Sequence, residues 1–178
     1  RNVHIVESQR EPNGNFPTVH SPNPEEGAAL AKAIALAKQV NAQLVMGTDP
    51  DSDRVGVAVP DVTLESGFRL LNGNETGALL VHYVLQGRKN AGQLNPQTDF
   101  VATTIVTSNL LSVLGKSFGL KVHETLTGFK WIADVIRREE GRGRFVVGGE
   151  ESYGYMIGDA VRDKDAVAAS CLLAEMAH

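Results

Sequence analysis

From Asn74 onward, short β-rich apolar runs alternate with stretches whose apolar residues recur at helical spacing, and no other feature of the sequence constrains the fold as much. The pattern predicts helices near 75–87, 108–118, 129–139 and 164–177, with strands near 99–106, 120–124 and 145–148. Strands separated by helices pair through crossovers rather than hairpins, which builds layers on a mostly parallel sheet. The expected fold class is α/β: three-layer α/β/α units with mixed, mostly parallel sheets.

The first third of the chain reads differently. Arg1 to Glu7 looks like part of an apolar strand, and residues 8–22 form a loop rich in Pro, Asn and Gly. A helix is expected from Asn23 as N-cap, with Pro24 at the first helical position and Glu26 three residues past the cap, running to about Val40. Leu44–Met46 reads as a short strand, and the alternating Val55, Val57 and Val59 as another ending at Pro60. Between Pro60 and Asn74 the composition shifts to Gly, Ser, Asn and charged residues, which divides the chain into units 1–68 and 69–178. The chain starts inside a strand-like run and stops inside a helical one, so it reads as a fragment of a longer polypeptide.

Composition excludes several classes of function. Seventeen Lys+Arg against 21 Asp+Glu give a formal charge of −4, which offers no basic footprint for nucleic acid or an anionic membrane surface. There is no run of 18 apolar residues to cross a membrane. One cysteine, Cys171, excludes a disulfide framework and a multi-cysteine zinc site, and fits a reducing cytoplasm. Its place in the last helical pattern predicts a core position rather than a nucleophile.

Three constellations could carry chemistry. In Asp49-Pro50-Asp51-Ser52-Asp53-Arg54, alternation by two in an extended segment would place three carboxylates on one side of the backbone. Their mutual repulsion is relieved by a divalent cation, and hard oxygen ligands with open positions suit Mg²⁺. An EF-hand fails, because its sixth position is Arg54 rather than Gly and its twelfth is Pro60 rather than Glu. The plainer reading is a solvated acidic turn, with Arg54 either neutralising it or addressing a phosphate.

The second, Gly148-Gly149-Glu150-Glu151-Ser152-Tyr153-Gly154, follows the apolar run Phe145–Val147 and so sits at the carboxyl end of a strand, where open α/β sheets bind ligands. Glu150 and Ser152 could hold vicinal sugar hydroxyls, or the segment is a glycine-rich turn with exposed glutamates. In the third, Thr125–Trp131, a strand leads into a helix. Its backbone N–H groups and Lys130 could face an anion, and Lys130 could act as acid or base. A surface lysine is the alternative. Arg162 and Lys164 read equally as phosphate contacts or surface charges. His4, His20, His82 and His123 lack metal-ligand spacing, and Ser21 has no paired base.

In order and spacing these motifs resemble those of the α-D-phosphohexomutases, the phosphoglucomutase/phosphomannomutase superfamily. Asp49–Arg54 is similar to the family's Asp-x-Asp-x-Asp-Arg magnesium loop. Thr127-Gly128-Phe129-Lys130 resembles the loop that carries a lysine into the cleft, and Gly149–Gly154 the Gly-Glu-x-Ser sugar-recognition loop. Asn15-Phe16-Pro17 with Pro22–Glu25, and Arg162–Asp165, also resemble family stretches.

The resemblance implies the latter part of domain 2 joined to most of domain 3, with domains 1 and 4 of the same polypeptide as the missing partners. It implies phosphoryl transfer between C1 and C6 of a hexose through a bisphosphate, with glucose favoured and mannose or a phosphopentose still open. Mg²⁺ would sit on Asp49, Asp51 and Asp53. Arg54 and Lys130 would be catalytic, while Thr127, Gly128, Glu150 and Ser152 would bind hexose phosphate and hexose bisphosphate. The family's Ser-His-Asn-Pro phosphoserine loop and Ser-Gly-Thr phosphate loop are absent here, so the 178 residues alone are expected to be inactive. An aspartate-nucleophile phosphatase with Asp49 attacking, or a non-catalytic sugar-phosphate-binding module, is the rival reading.

Overall fold

The computed structural model describes residues 2–178 and contains two sheets. The first has the order β1-β2-β3, with β1 at Val45–Thr48, β2 at Val55–Pro60 and β3 at Phe68–Leu71. All its pairings are antiparallel, with Met46 and Leu71 flanking Val57. Only residues 49–54 join β1 to β2, far too few for a parallel crossover. The second sheet has the order β5-β4-β6-β7, with β4 at Asp99–Thr104, β5 at Lys121–Thr125, β6 at Arg144–Gly149 and β7 at Tyr155–Ile157. β4 pairs in parallel with β5 and β6, and β7 closes the edge antiparallel to β6. This is the mixed, mostly parallel sheet that the alternating pattern predicts.

Five helices cover the sheets: α1 Gly27–Val40, α2 Gly73–Asn90, α3 Asn109–Ser117, α4 Phe129–Glu139 and α5 Ala166–Met176. Their ends have local causes. Asn72 and Glu75 form a reciprocal capping box on α2, and Ser108 and Asp165 cap α3 and α5. Asn41, left-handed at φ 53°, closes α1. Central strand β4 is buried throughout, with α2 and α3 packed on one face of its sheet and α4 on the other. Helix α1 covers one face of the first sheet through Ala37, Val45, Ala58 and Phe68. Helix α5 bridges the sheets, because Ala166, Ala169 and Leu173 share a core with Val55, Val57 and Leu71 on one side and Leu80 and Tyr155 on the other.

Several expectations are corrected. Val3 and Ile5 are 84% and 51% exposed and Asn2–Val6 is irregular, so the expected opening strand is not formed; Arg1 lies outside the described residues. No strand among the described residues pairs with that segment. Helix α1 begins at Gly27 rather than Pro24. Asn23 instead accepts the Glu25 N–H at 3.0 Å in a turn, and the Pro24 carbonyl packs so tightly on β2 that a Cβ at Gly56 would lie 2.4 Å from it. Strands β3 and β7 were not anticipated, and β3 carries the first sheet to Leu71, past the boundary read at residue 68. Cys171 is exposed, because the buried face of α5 runs through Ala166, Ala169 and Leu173. Among the described residues no helix is long and apolar enough to cross a membrane.

One ion pair fixes the start of the second sheet. The Asp99 side chain, fully buried, takes the Arg144 Nε at 2.8 Å and Nη2 at 2.6 Å, plus the Asn95 N–H at 2.8 Å. Burial pulls the Asp99 pKa upward, but these donors outweigh it and hold the carboxyl below its usual value of 3.8. Its contribution is therefore complete above pH 3.8 and is lost as pH falls through the lowered native value. Asp99→Asn should cost about 3 kcal/mol at neutral pH. In urea unfolding, the gap to wild type should narrow in acid below that value.

Candidate functional site

The short β1–β2 connection is a tight turn, not the extended segment expected. Ser52 is left-handed at φ 57° and donates its N–H to the Asp49 carbonyl at 3.1 Å. The turn, rather than strand alternation, brings the three aspartates together: one ligand atom from each of Asp49, Asp51 and Asp53 lies within 4.8 Å of the others. Asp49 Oδ1 accepts the N–H groups of Asp53 at 3.1 Å and Arg54 at 3.0 Å. Asp51 is exposed, whereas Asp53 Oδ1 is buried without a hydrogen-bond partner.

Burial, with Asp53 and Asp51 close by, raises the Asp49 carboxyl from 3.8 to about 6 despite the Arg54 N–H that opposes it. Burial pushes Asp53 upward too, but Lys164 and Arg54 overcome it and hold its pKa below 3.8. Three hard oxygen donors, one with an orphaned buried atom, fit a divalent cation. The solvated-turn reading accounts for Asp51 alone.

The other two constellations meet this loop. The Val55 N–H donates to the Tyr153 carbonyl at 3.1 Å, Arg54 and Gly154 form a single antiparallel bridge, and the Ala166 N–H reaches the Ser52 carbonyl at 3.0 Å. Glu150 is 5% exposed and its Oε1 accepts the Gly128 N–H at 2.6 Å, tying the loop after β6 to the start of α4. Gly128 has φ 113°, which only glycine adopts readily, and Thr127 and Lys130 are exposed beside it. Lys130 makes no ion pair among the described residues; its Nζ lies 5.4 Å from the Trp131 ring. Ser152 is half-buried on the same loop as Glu150. Glu151, by contrast, accepts the Thr107 hydroxyl at 2.8 Å.

The sequence leaves two contributors undervalued. Lys164 Nζ lies 2.6 Å from Asp53 Oδ2, while Arg162 instead pairs with Glu140. The charged run before α5 was the only signal, and it could not separate the two residues. Glu25 Oε1 holds Arg54 Nη1 at 3.2 Å. Ser21, Pro22, Asn23, Asp49, Pro50 and Arg54 line a cavity of about 260 Å³. Ser21 donates to Glu26 at 2.8 Å and is no nucleophile here.

Residues 72–178 match the family model described as phosphoglucomutase/phosphomannomutase, alpha/beta/alpha domain III, and residues 1–63 match its domain II. A phosphoglucomutase of Staphylococcus saprophyticus is 40% identical over 168 residues, covering 93% of this chain and 29% of the relative. A phosphopentomutase of Mus musculus is 38% identical over 176 residues, 97% of this chain and 28% of the relative. The chain thus spans about a third or less of the length of the curated relatives it matches. The crystal structure of a phosphoglucomutase/phosphomannomutase family protein from Burkholderia thailandensis superposes with a TM-score of 0.70 at 21% identity, covering 92% of this chain and 32% of the other.

The docking of the loops depends on close backbone approach at Gly73. A Cβ there would lie 1.7 Å from the Glu151 carbonyl oxygen. Gly73→Ala should push the 150–154 loop outward, cost about 2 kcal/mol, and speed hydrogen exchange at Val55, whose N–H depends on Tyr153.

Proposed function

Because the chain belongs to the phosphoglucomutase/phosphomannomutase family, we propose that the whole protein moves a phosphoryl group between C1 and C6 of a hexose, with glucose favoured over mannose. The observation that carries this reading is the convergence of the aspartate loop, the Glu150–Ser152 loop and the Thr127–Lys130 turn at one end of the second sheet. The rival readings, an aspartate-nucleophile phosphatase and a non-catalytic binding module, leave that convergence and the two family matches without an account.

In this proposal the partners are hexose phosphate and hexose bisphosphate, and the phosphoryl group is carried by a serine that these residues do not include. A divalent cation, Mg²⁺ in our reading, would be held by Asp49, Asp51 and Asp53, and when bound it would neutralise charge gathering on the phosphoryl oxygens. Arg54, tethered by Glu25 and Asp53, has donors left to grip a phosphoryl oxygen. Glu150 and Ser152 would take sugar hydroxyls. Glu150 arrives already oriented, since its Oε1 is fixed by Gly128 and its other oxygen is left for the substrate. With the Gly128 N–H already taken by Glu150, the start of α4, which has no side-chain cap, would offer its remaining first-turn N–H groups to the sugar phosphate.

Lys130, exposed at the first turn of α4, would pass a proton to or from the sugar oxygen that leaves or attacks. Domain 2 and domain 3 of the family would meet between residues 63 and 72. Sugar-phosphate chemistry and a single cysteine fit a cytoplasmic setting.

In the whole protein, Asp51→Asn should fold normally, because Asp51 is exposed, and lose about tenfold or more in Mg²⁺ affinity by calorimetry. Glu150→Ala should lower kcat/KM for glucose 1-phosphate by roughly tenfold to a hundredfold in a coupled assay. The 178 residues alone should show no turnover. Unchanged affinity and unchanged kinetics in the two variants would remove the basis of the proposal.

A further inference from the structure

Lys164 stands just before α5, with its side chain 15% exposed, and among the described residues its ammonium is the closest cation to the aspartate carboxylates. Its Nζ is 2.6 Å from Asp53 Oδ2 and 3.4 Å from Asp163 Oδ1. Its stem runs along Gly154, where a Cβ would sit 2.1 Å from Lys164 Cδ, and its Nζ lies 5.5 Å from the centre of the Phe129 ring. One side chain thus touches the aspartate loop, the sugar-side loop and the first residue of α4. The other cation nearby, Arg54, is 3.7 Å from Asp53 Oδ1 and is already paired with Glu25.

We propose that Lys164 is the internal counter-cation of the aspartate loop: its ammonium balances Asp53 in the metal-free protein and loosens when a divalent cation binds. The occupancy of the cation site is thereby passed to Gly154 and Phe129. The inference rests on the reading of Asp49, Asp51 and Asp53 as a divalent-cation site. Its physical basis is charge. Asp53 has one oxygen on Lys164 and the other buried without a hydrogen bond, with only the longer Arg54 contact at 3.7 Å, so a cation taking that oxygen lies within a few ångströms of the Lys164 ammonium. At that distance, in a partly buried site, the two repel strongly and the singly charged, flexible lysine gives way. Movement of its stem then reaches the Arg54–Gly154 bridge and the α4 start, the two places that hold the Glu150 loop.

The test is titration of Mg²⁺ into the whole protein by calorimetry, with reductive methylation of Lys164 read by mass spectrometry. Lys164→Met should bind Mg²⁺ about fivefold or more tightly than wild type, while Lys164→Arg, which keeps the charge, stays near wild type. In the unaltered protein, Mg²⁺ should speed methylation of Lys164 by about threefold or more relative to the other lysines, an arm that needs no variant to fold. Wild-type binding with equal or weaker affinity in a folded Lys164→Met overturns this inference and leaves the cation site standing. So does methylation that is unchanged or slowed by Mg²⁺. A wild type that binds no Mg²⁺, alongside an equally inert Asp51→Asn, overturns the cation site and this inference together.

Discussion

The site depends on a short backbone junction between the start of β2 and the loop that follows β6. The Val55 N–H bonds the Tyr153 carbonyl, Arg54 bridges Gly154, and the Glu150 N–H bonds the Gly154 carbonyl. Such bonds contribute only about 1 kcal/mol each, but they fix position more firmly than flexible side chains can. They require close approach, which is why Gly154 lies against the Lys164 stem and Gly73 against Glu151, and why Tyr153 is left-handed at φ 67°. A left-handed non-glycine residue is strained, and the surroundings must hold it there. Behind the junction, α5 buries apolar side chains against both sheets, so the aspartate turn and the 150–154 loop are parts of one packed body.

On that frame an acidic chain builds a locally balanced site. Asp49 and Asp53, four residues apart, are driven in opposite directions by what they face. Burial and carboxylate neighbours raise Asp49 to about 6, whereas Lys164 and Arg54 overcome the burial of Asp53 and lower it. One carboxylate is thus inclined to share a proton and the other is held ionised. A divalent cation would relieve the first without requiring the second. Net charge, at −4, contains none of this, because it averages over surface pairs such as Arg137–Asp134 that have no part in the site.

Much of the architecture could be read from periodicity, because α2, α3 and α5 carry side-chain caps of their own and α4 and strands β4 to β6 carry their own apolar spacing. The misses are tertiary. Strand β3 is four residues long and β7 three, and each exists only because a neighbouring strand offers unpaired backbone groups. The opening residues show the converse: Val3 and Ile5 have strand-like composition and nothing to pair with among the described residues. Pro24 looked like a helix start, but it was drawn into a turn by its packing on Gly56, and that turn placed Glu25 on Arg54. Spacing correctly grouped the three aspartates, although the geometry behind the grouping is a turn centred on Ser52 rather than an extended strand. Lys164 could not be ranked above Arg162 from sequence, since only the fold decides which of the two points at Asp53 and which at Glu140.

Glu150 shows what the arrangement is built to do. A carboxylate that is 5% exposed, with no arginine or lysine paired to it among the described residues, is costly to fold around. Its compensation is one short bond from the Gly128 N–H and the partial positive charge at the uncapped start of α4. An apolar residue of similar size would avoid the cost, and Gly128 would still turn, so stability alone does not call for a glutamate. What the glutamate adds is an acceptor at fixed orientation, mounted on the loop that the aspartate turn anchors and held at the start of α4. In the proposed reaction a sugar hydroxyl would supply a second donor, and in taking it the substrate would complete the hydrogen bonding of this carboxylate.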